Sequence, residues 1–272
     1  MLHNLDSDSS KIIEAVRSTG VVITEAMRLY VDYIVSNMKA IGTWDLCNAV
    51  YGFVGGTADS HKWNWKDLRD VDAAFRLTYG TSSLNHSSFG LRNLNTNSFD
   101  NTNFVFTKII PSSHLSLNSV HLSAYMTISG GNSALTAFDL GCGTLSGGIV
   151  VNNLCLVLRP IENNGVRTFL NTNTGYSNLV GGTKGYVLSS RTSSSLISVG
   201  YNGVLTTNVA STSTSLTSEE LTLTRLNNGL GITTPINLST YGFFSIGSGL
   251  TDTQALQQSQ IVTNAQNILN RA

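Results

Sequence analysis

Between Tyr51 and Ile246 the hydrophobic runs are only four to eight residues long, and spacers rich in Gly, Asn, Ser and Thr part them at roughly even intervals. A run of that length supplies one strand and falls short of an amphipathic helix, so this stretch reads as an antiparallel sandwich or barrel. Strands are expected over 74–79, 103–109, 119–128, 134–140, 148–158, 168–171, 185–191, 195–201, 203–209, 220–225 and 241–246. Within one of them Val120, Leu122, Ala124 and Met126 alternate with His121, Ser123 and Tyr125, the period of a strand with two different faces. Tyr201-Asn202-Gly203-Val204 is the strongest hairpin signal, because Asn-Gly accepts the left-handed dihedrals of a type I′ turn.

Both ends read as helix. The periodicity predicts a short helix over 9–18, with Ile12, Ile13 and Val16 on one face. A longer one runs over 23–41, where Ile23, Met27, Tyr30, Ile34, Met38 and Ile41 recur at three- and four-residue steps and Gly42 stops the run. This stripe either packs on the sandwich or forms an assembly helix that self-associates. Thr43 is placed to cap a third short helix over 44–50. Near the other end Thr251 and Gln254 have the spacing of a capping box, and Ala255, Ile261, Ala265 and Ile268 form a stripe beyond it. The expected division is a helical segment over 1–42 and a β-sandwich over 43–272 that ends in a helix.

Charge narrows the function classes. Charged residues make up 12% of the chain, about half the usual share, and 16 basic residues balance 16 acidic ones. No basic stripe offers itself to nucleic acid phosphates. The opening residues lack a signal peptide's positive flank and apolar run, and no stretch reaches the about 18 apolar residues of a membrane span. Three cysteines, Cys47, Cys142 and Cys155, form no disulfide framework and read as buried small hydrophobes.

Two segments carry a family resemblance. The first covers 44–79, with Phe53-Val54-Gly55-Gly56-Thr57, His61-Lys62, Asp67 and Asp70, and Asp72-Ala73-Ala74-Phe75-Arg76-Leu77 as its core, extended by His86-Ser87-Ser88 and Gly90. The second is the run from Ser198 to Val204, with Phe243-Phe244-Ser245-Ile246-Gly247 and Leu250-Thr251-Asp252. Together they resemble concanavalin-like (LamG-like) jelly-roll domains of phage tail-fibre and other virion structural proteins. The resemblance implies a mainly β, antiparallel concanavalin-like jelly-roll sandwich with N-terminal helices and a C-terminal helix. It implies a virion surface protein (fibre, spike or capsid decoration) made in the host cytoplasm, with other virion proteins as partners and a homo-oligomer, by analogy a trimer. Attachment to host surface polysaccharide is a further implication.

Chemistry-bearing residues are sparse. A glycosidase on this fold needs paired carboxyls, which on one strand would read Glu-x-Asp-x-Glu; no such run exists, and Glu219-Glu220 point to opposite faces. A non-enzymatic binding protein is therefore expected, with a stand-alone lectin-like module as the alternative and a polysaccharide-degrading enzyme behind it. Asp59, His61, Trp63 and Trp65 are the candidate glycan subsite, where indole faces would stack on a sugar and Asp and His would fix its hydroxyls. The competing role for this cluster is a polar loop that covers the sandwich edge. Asn95, Asn97 and Asp100 supply oxygens for a calcium ion, the one cofactor the sequence offers. His114 and His121 have no neighbouring carboxylate or thiolate in sequence to complete a metal site.

Overall fold

A computed structural model describes residues 5–80, 84–94, 105–128, 138–146, 149–159, 165–179, 184–229 and 238–272. The chain opens with α1 (Ser7–Arg17), α2 (Glu25–Ala40), a 3-10 turn (Trp44–Leu46), β1 (Cys47–Tyr51), α3 (Ala58–His61) and a second 3-10 turn (Asp72–Ala74). Then come β2 (Thr78–Tyr79), β3 (Leu84–Ser87), β4 (Gly90–Asn93), β5 (Val105–Phe106), α4 (Pro111–His114), β6 (Val120–Ile128), β7 (Leu140–Ser146) and β8 (Ile149–Arg159). The second half holds β9 (Gly165–Thr172), β10 (Tyr176–Leu179), β11 (Gly185–Arg191), β12 (Leu196–Tyr201) and β13 (Val204–Ala210). It ends with β14 (Thr222–Leu223), β15 (Leu226–Asn227), β16 (Thr240–Gly247) and α5 (Asp252–Ile268).

Among the described residues the strands form two eight-stranded sheets. The first runs β13-β12-β11-β6-β16-β4-β3, with β1 also on β16; the second runs β10-β9-β8-β7-β14-β5-β2, with β15 joined to β7. All pairings are antiparallel except β15 with β7. The fold is thus the mainly β sandwich with helices at both ends that the sequence implies.

Strand alternation divides the interior into two layers. Val120, Leu122, Ala124 and Met126 of β6, with Val187 of β11 and Phe244 and Ile246 of β16, face the second sheet and join Leu140, Leu154, Val166 and Leu170 from it. The opposite face of the first sheet presents Tyr125, Tyr186, Leu188 and Phe243 to the helices. There they meet Ile12 and Val16 of α1, Tyr30, Ile34, Val35 and Met38 of α2, and Val262 and Ala265 of α5. Each large side chain so buried contributes about 1.5–3 kcal/mol, so the helices form a third layer.

Local chemistry sets the helix ends. The Thr24 side chain accepts from the Met27 amide at the start of α2. The predicted capping box at Thr251 and Gln254 is present with both reciprocal bonds. Asn202 and Gly203 have φ of 46° and 80°, the two positive values that the predicted hairpin turn requires.

Several expectations need correction. Residues 44–50 do not form a helix: one 3-10 turn leads into β1, whose register runs from Cys47 opposite Gly247 to Tyr51 opposite Phe244. Pairing along β16 overrode the local preference. Among the described residues, which leave out 103 and 104, the expected strands over 74–79, 103–109 and 220–225 shrink to two-residue pairings at β2, β5 and β14. The strand expected over 134–140 begins only at Leu140 among the described residues, since 131–137 lie outside them. β1, β3, β4, β10 and β15 were not anticipated. Cys47 and Cys142 are buried free thiols, as expected.

Candidate functional site

The residues singled out in the sequence do not converge. Asp59 is exposed on α3. His61 is 2% exposed; its Nε2 accepts from the Gly56 amide at 3.2 Å, and its Nδ1 lies 3.1 Å from Nδ1 of His86. Because Nε2 is an acceptor there, Nδ1 carries the proton and donates to His86. Burial, the neighbouring His86 and Arg271 push His61 well below the ordinary histidine range, and burial lowers His86 to about 4. Arg271 closes this corner by donating to the carbonyls of Phe53 and Ser88.

Trp63 and Trp65 are 8% and 4% exposed and belong to the layer under the helices. Trp65 meets Tyr30 edge-on at 6.0 Å and closes so tightly on Gly52 that a Cβ there would sit 2.1 Å from the indole. It also lines a hollow of about 390 Å³ with Trp44, Lys39, Lys66, Asp8 and Asp67. The charges in that hollow neutralise one another: Lys39 bridges Asp6 at 2.6 Å and Asp8 at 2.8 Å, and Lys66 lies over the Trp44 ring. Of the six assembly-helix residues, Tyr30, Ile34 and Met38 are wholly buried within the chain, and Ile23, Met27 and Ile41 are partly exposed. Asn95, Asn97 and Asp100 lie outside the described residues. His114 accepts from the Ile110 amide, and His121 lies in a separate buried network. Among the described residues no group of three or more His, Cys, Asp or Glu side chains is arranged to hold a metal.

The structure brings together a different set. β13 ends the first sheet and β10 ends the second, and the chain leading into β10 and the chain leaving β13 meet at one seam. A cleft of about 380 Å³ occupies it, walled by Thr172, Asn173, Thr174, Gly175 and Tyr176 on one side and by Ala210, Ser211, Thr212 and Thr214 on the other. Among the described residues, its lining carries hydroxyls, an amide and one phenol ring but no charged side chain. Tyr176 is half-buried and packs against the sandwich core. Gly175 is required by a close approach, since a Cβ there would lie 2.3 Å from the Phe169 ring.

Buried groups hold both walls. Arg191 is completely buried and donates from Nε to the Leu170 carbonyl at 2.9 Å. Its Nη1 reaches the carbonyls of Ser193 and Ser211 at 3.1 and 2.6 Å, and its Nη2 reaches Ser211 Oγ at 2.9 Å. Asn171, at φ 56°, donates to the carbonyls of Ser116 and Leu117, and its own carbonyl accepts from the Thr214 amide at 2.8 Å. The cleft is therefore held from beneath by bonds that a polar surface loop alone would not have. The sequence signal for it was faint: a Tyr after Asn-Thr-Gly and a Ser/Thr run after a strand.

Among the described residues, the buried carboxylates of this half of the chain lie elsewhere. Asp139 is buried and accepts from the Tyr241 hydroxyl, and Glu220 accepts from the Lys108 amide at 2.7 Å. Neither lines the cleft.

No family model and no curated protein matches the chain. Solved structures do. A sialidase from Trypanosoma rangeli in complex with sialic acid matches at 10% identity with a TM-score of 0.51, over 88% of this chain and 39% of that one. Domain 4 of AbnA, a GH43 extracellular arabinanase from Geobacillus stearothermophilus in complex with arabinotriose, matches at 15% identity and a TM-score of 0.49, over 79% of this chain and 98% of that one. The chain thus spans about two fifths of the sialidase it matches. At such identity the sialidase likeness is one of fold alone.

Proposed function

We propose that this protein is a carbohydrate-binding β-sandwich, with the seam cleft as its glycan site. One observation carries the reading: a cleft of about 380 Å³ lined by hydroxyls, an amide and a single aromatic ring, with its walls fixed from below. Sugars are recognised by just this pairing of a flat apolar surface with a few placed polar groups. The arabinotriose and sialic acid present in the two matched structures accord with the reading, although those ligands belong to those proteins.

The reading is of binding without turnover, since glycoside hydrolysis needs two carboxyl groups across the scissile bond and the described residues of the cleft lining include none. A glycan array probed with the full chain tests this directly. Hits that disappear in Tyr176→Ala, with no release of reducing sugar from the bound glycans, are expected. Hits that Tyr176→Ala leaves intact, or steady release of reducing sugar, would overturn it.

The setting we propose is the surface of a phage particle, where the module would attach the virion to host polysaccharide. The resemblance of 44–79 to virion jelly-rolls supports it. Homotypic contacts through Leu29 of α2, 43% exposed, and Val22 in the segment before it, 84% exposed, would supply the oligomer. Light scattering of the full chain and mass spectrometry of purified particles check both points. A monomer that is absent from particles contradicts them.

A further inference from the structure

We infer that the seam cleft selects an acidic sugar, a uronate or sialate unit taken by its carboxylate, over a neutral sugar of the same shape. This rests on the reading of the cleft as the glycan site. Arg191 lies directly beneath Ser211 and is completely buried. All four of its bonds go to neutral oxygens: the carbonyls of Leu170, Ser193 and Ser211, and Ser211 Oγ. Guanidinium stays protonated under all ordinary conditions. A cation whose charge no bonded carboxylate cancels therefore lies behind the Ser211 wall of the cleft.

Hydroxyl direction reinforces the charge. Ser211 Oγ accepts from Arg191 Nη2, so its own hydrogen is left for another acceptor and is polarised by the guanidinium behind it. Across the cleft, Thr172 Oγ1 accepts from the Thr174 amide at 3.2 Å, which leaves its hydrogen available in the same way. Both residues line the cleft, and no acidic side chain in the lining would repel an anion. The cleft thus has two lining hydroxyls with a hydrogen to give, one of them backed by a guanidinium, and the Tyr176 ring in the same lining. A carboxylate fits this arrangement better than a neutral hydroxyl does, because it accepts both bonds and meets the field.

Paired probes separate this inference from the reading under it. Calorimetric titrations would compare 3′-sialyllactose with lactose, and tetragalacturonate with its carboxyl-reduced tetramer. The acidic member of a pair is expected to bind about tenfold more tightly, the usual gain of a charged over a neutral hydrogen-bonded partner. Ser211→Ala should bring the acidic member down to the neutral one's level, and Ser211→Thr, which keeps the hydroxyl, should restore the gap. Tyr176→Ala should weaken both members. Neutral members that bind as tightly as the acidic ones, and still depend on Tyr176, would overturn the selectivity and leave the glycan site standing. Glycans that bind with no dependence on Tyr176 would overturn both.

Discussion

Lowering the pH from 7 to 4 is expected to remove about 3 kcal/mol of stability through His121 alone. This imidazole is completely buried on the helix-facing side of β6. Its Nδ1–H donates to the Ser248 carbonyl at 2.6 Å, which leaves Nε2 to accept from Ser245 Oγ at 3.0 Å. Ser245 Oγ in turn accepts from Gln258 Nε2 at 3.0 Å and lies 2.6 Å from Ser123 Oγ. Burial pushes the pKa of His121 from 6.5 down to about 4. Between those values the unfolded chain binds a proton that the folded chain refuses. The stabilisation is complete above pH 6.5 and drains away as the pH falls towards 4. Linkage puts the loss at about 2 kcal/mol by pH 5 and about 3 kcal/mol by pH 4. His61 and His86 shift in the same direction and steepen the same window. Asp6, Asp8, Asp67 and Asp70, held below the ordinary carboxylate range, give up their contributions at lower pH. Urea unfolding of the wild type and His121→Gln at pH 7, 6, 5 and 4 isolates the imidazole. The stability gap between the two proteins should narrow by about 2 kcal/mol from pH 7 to 5. A gap that does not change with pH would refute the buried neutral imidazole.

Other outcomes follow from single groups. Arg191→Met leaves three carbonyls without their donor and should cost about 3 kcal/mol or more in urea unfolding. Trp65→Ala should cost about 3–5 kcal/mol yet leave glycan affinity unchanged, which separates a core indole from a sugar platform. Thr251→Ala removes the cap of α5 and should lower stability by about 1 kcal/mol, read as a fall in thermal midpoint. Gly203→Val forces a branched side chain to φ 80° and should cost about 1–2 kcal/mol, with loss of β12–β13 protection in hydrogen exchange.

Where a residue's role is decided by its neighbours in sequence, it could be read in advance. The alternation in β6, the Asn-Gly turn, the capping box at Thr251 and the stripe along α2 are all local patterns, and each appears in the structure. Roles decided by distant partners could not be read. Cys47–Val50 looked helical because its pairing partner, β16, lies some two hundred residues further on. Trp63 and Trp65 read either as a sugar platform or as a cover for the sandwich edge, and their place in the layer under the helices, with Tyr30 of α2 against Trp65, decides for the second. The cleft is the extreme case. Thr172–Tyr176 and Ala210–Thr214 are two unremarkable polar stretches until strand order sets β10 and β13 at the same seam. Arg191 gave no warning either, since a lone arginine at a strand end is ordinarily exposed, and its buried state depends on carbonyls from three segments.

The most direct test of the glycan site is amide chemical-shift mapping of the isotope-labelled protein, titrated with the strongest glycan from the array. Shifts concentrated at 172–176 and 210–214 are expected, with quiet amides along α5 and around Trp63 and Trp65. Shifts centred on the groove between the Asn202-Gly203 turn and α5, or on the loop carrying Asp59 to Trp65, would contradict it.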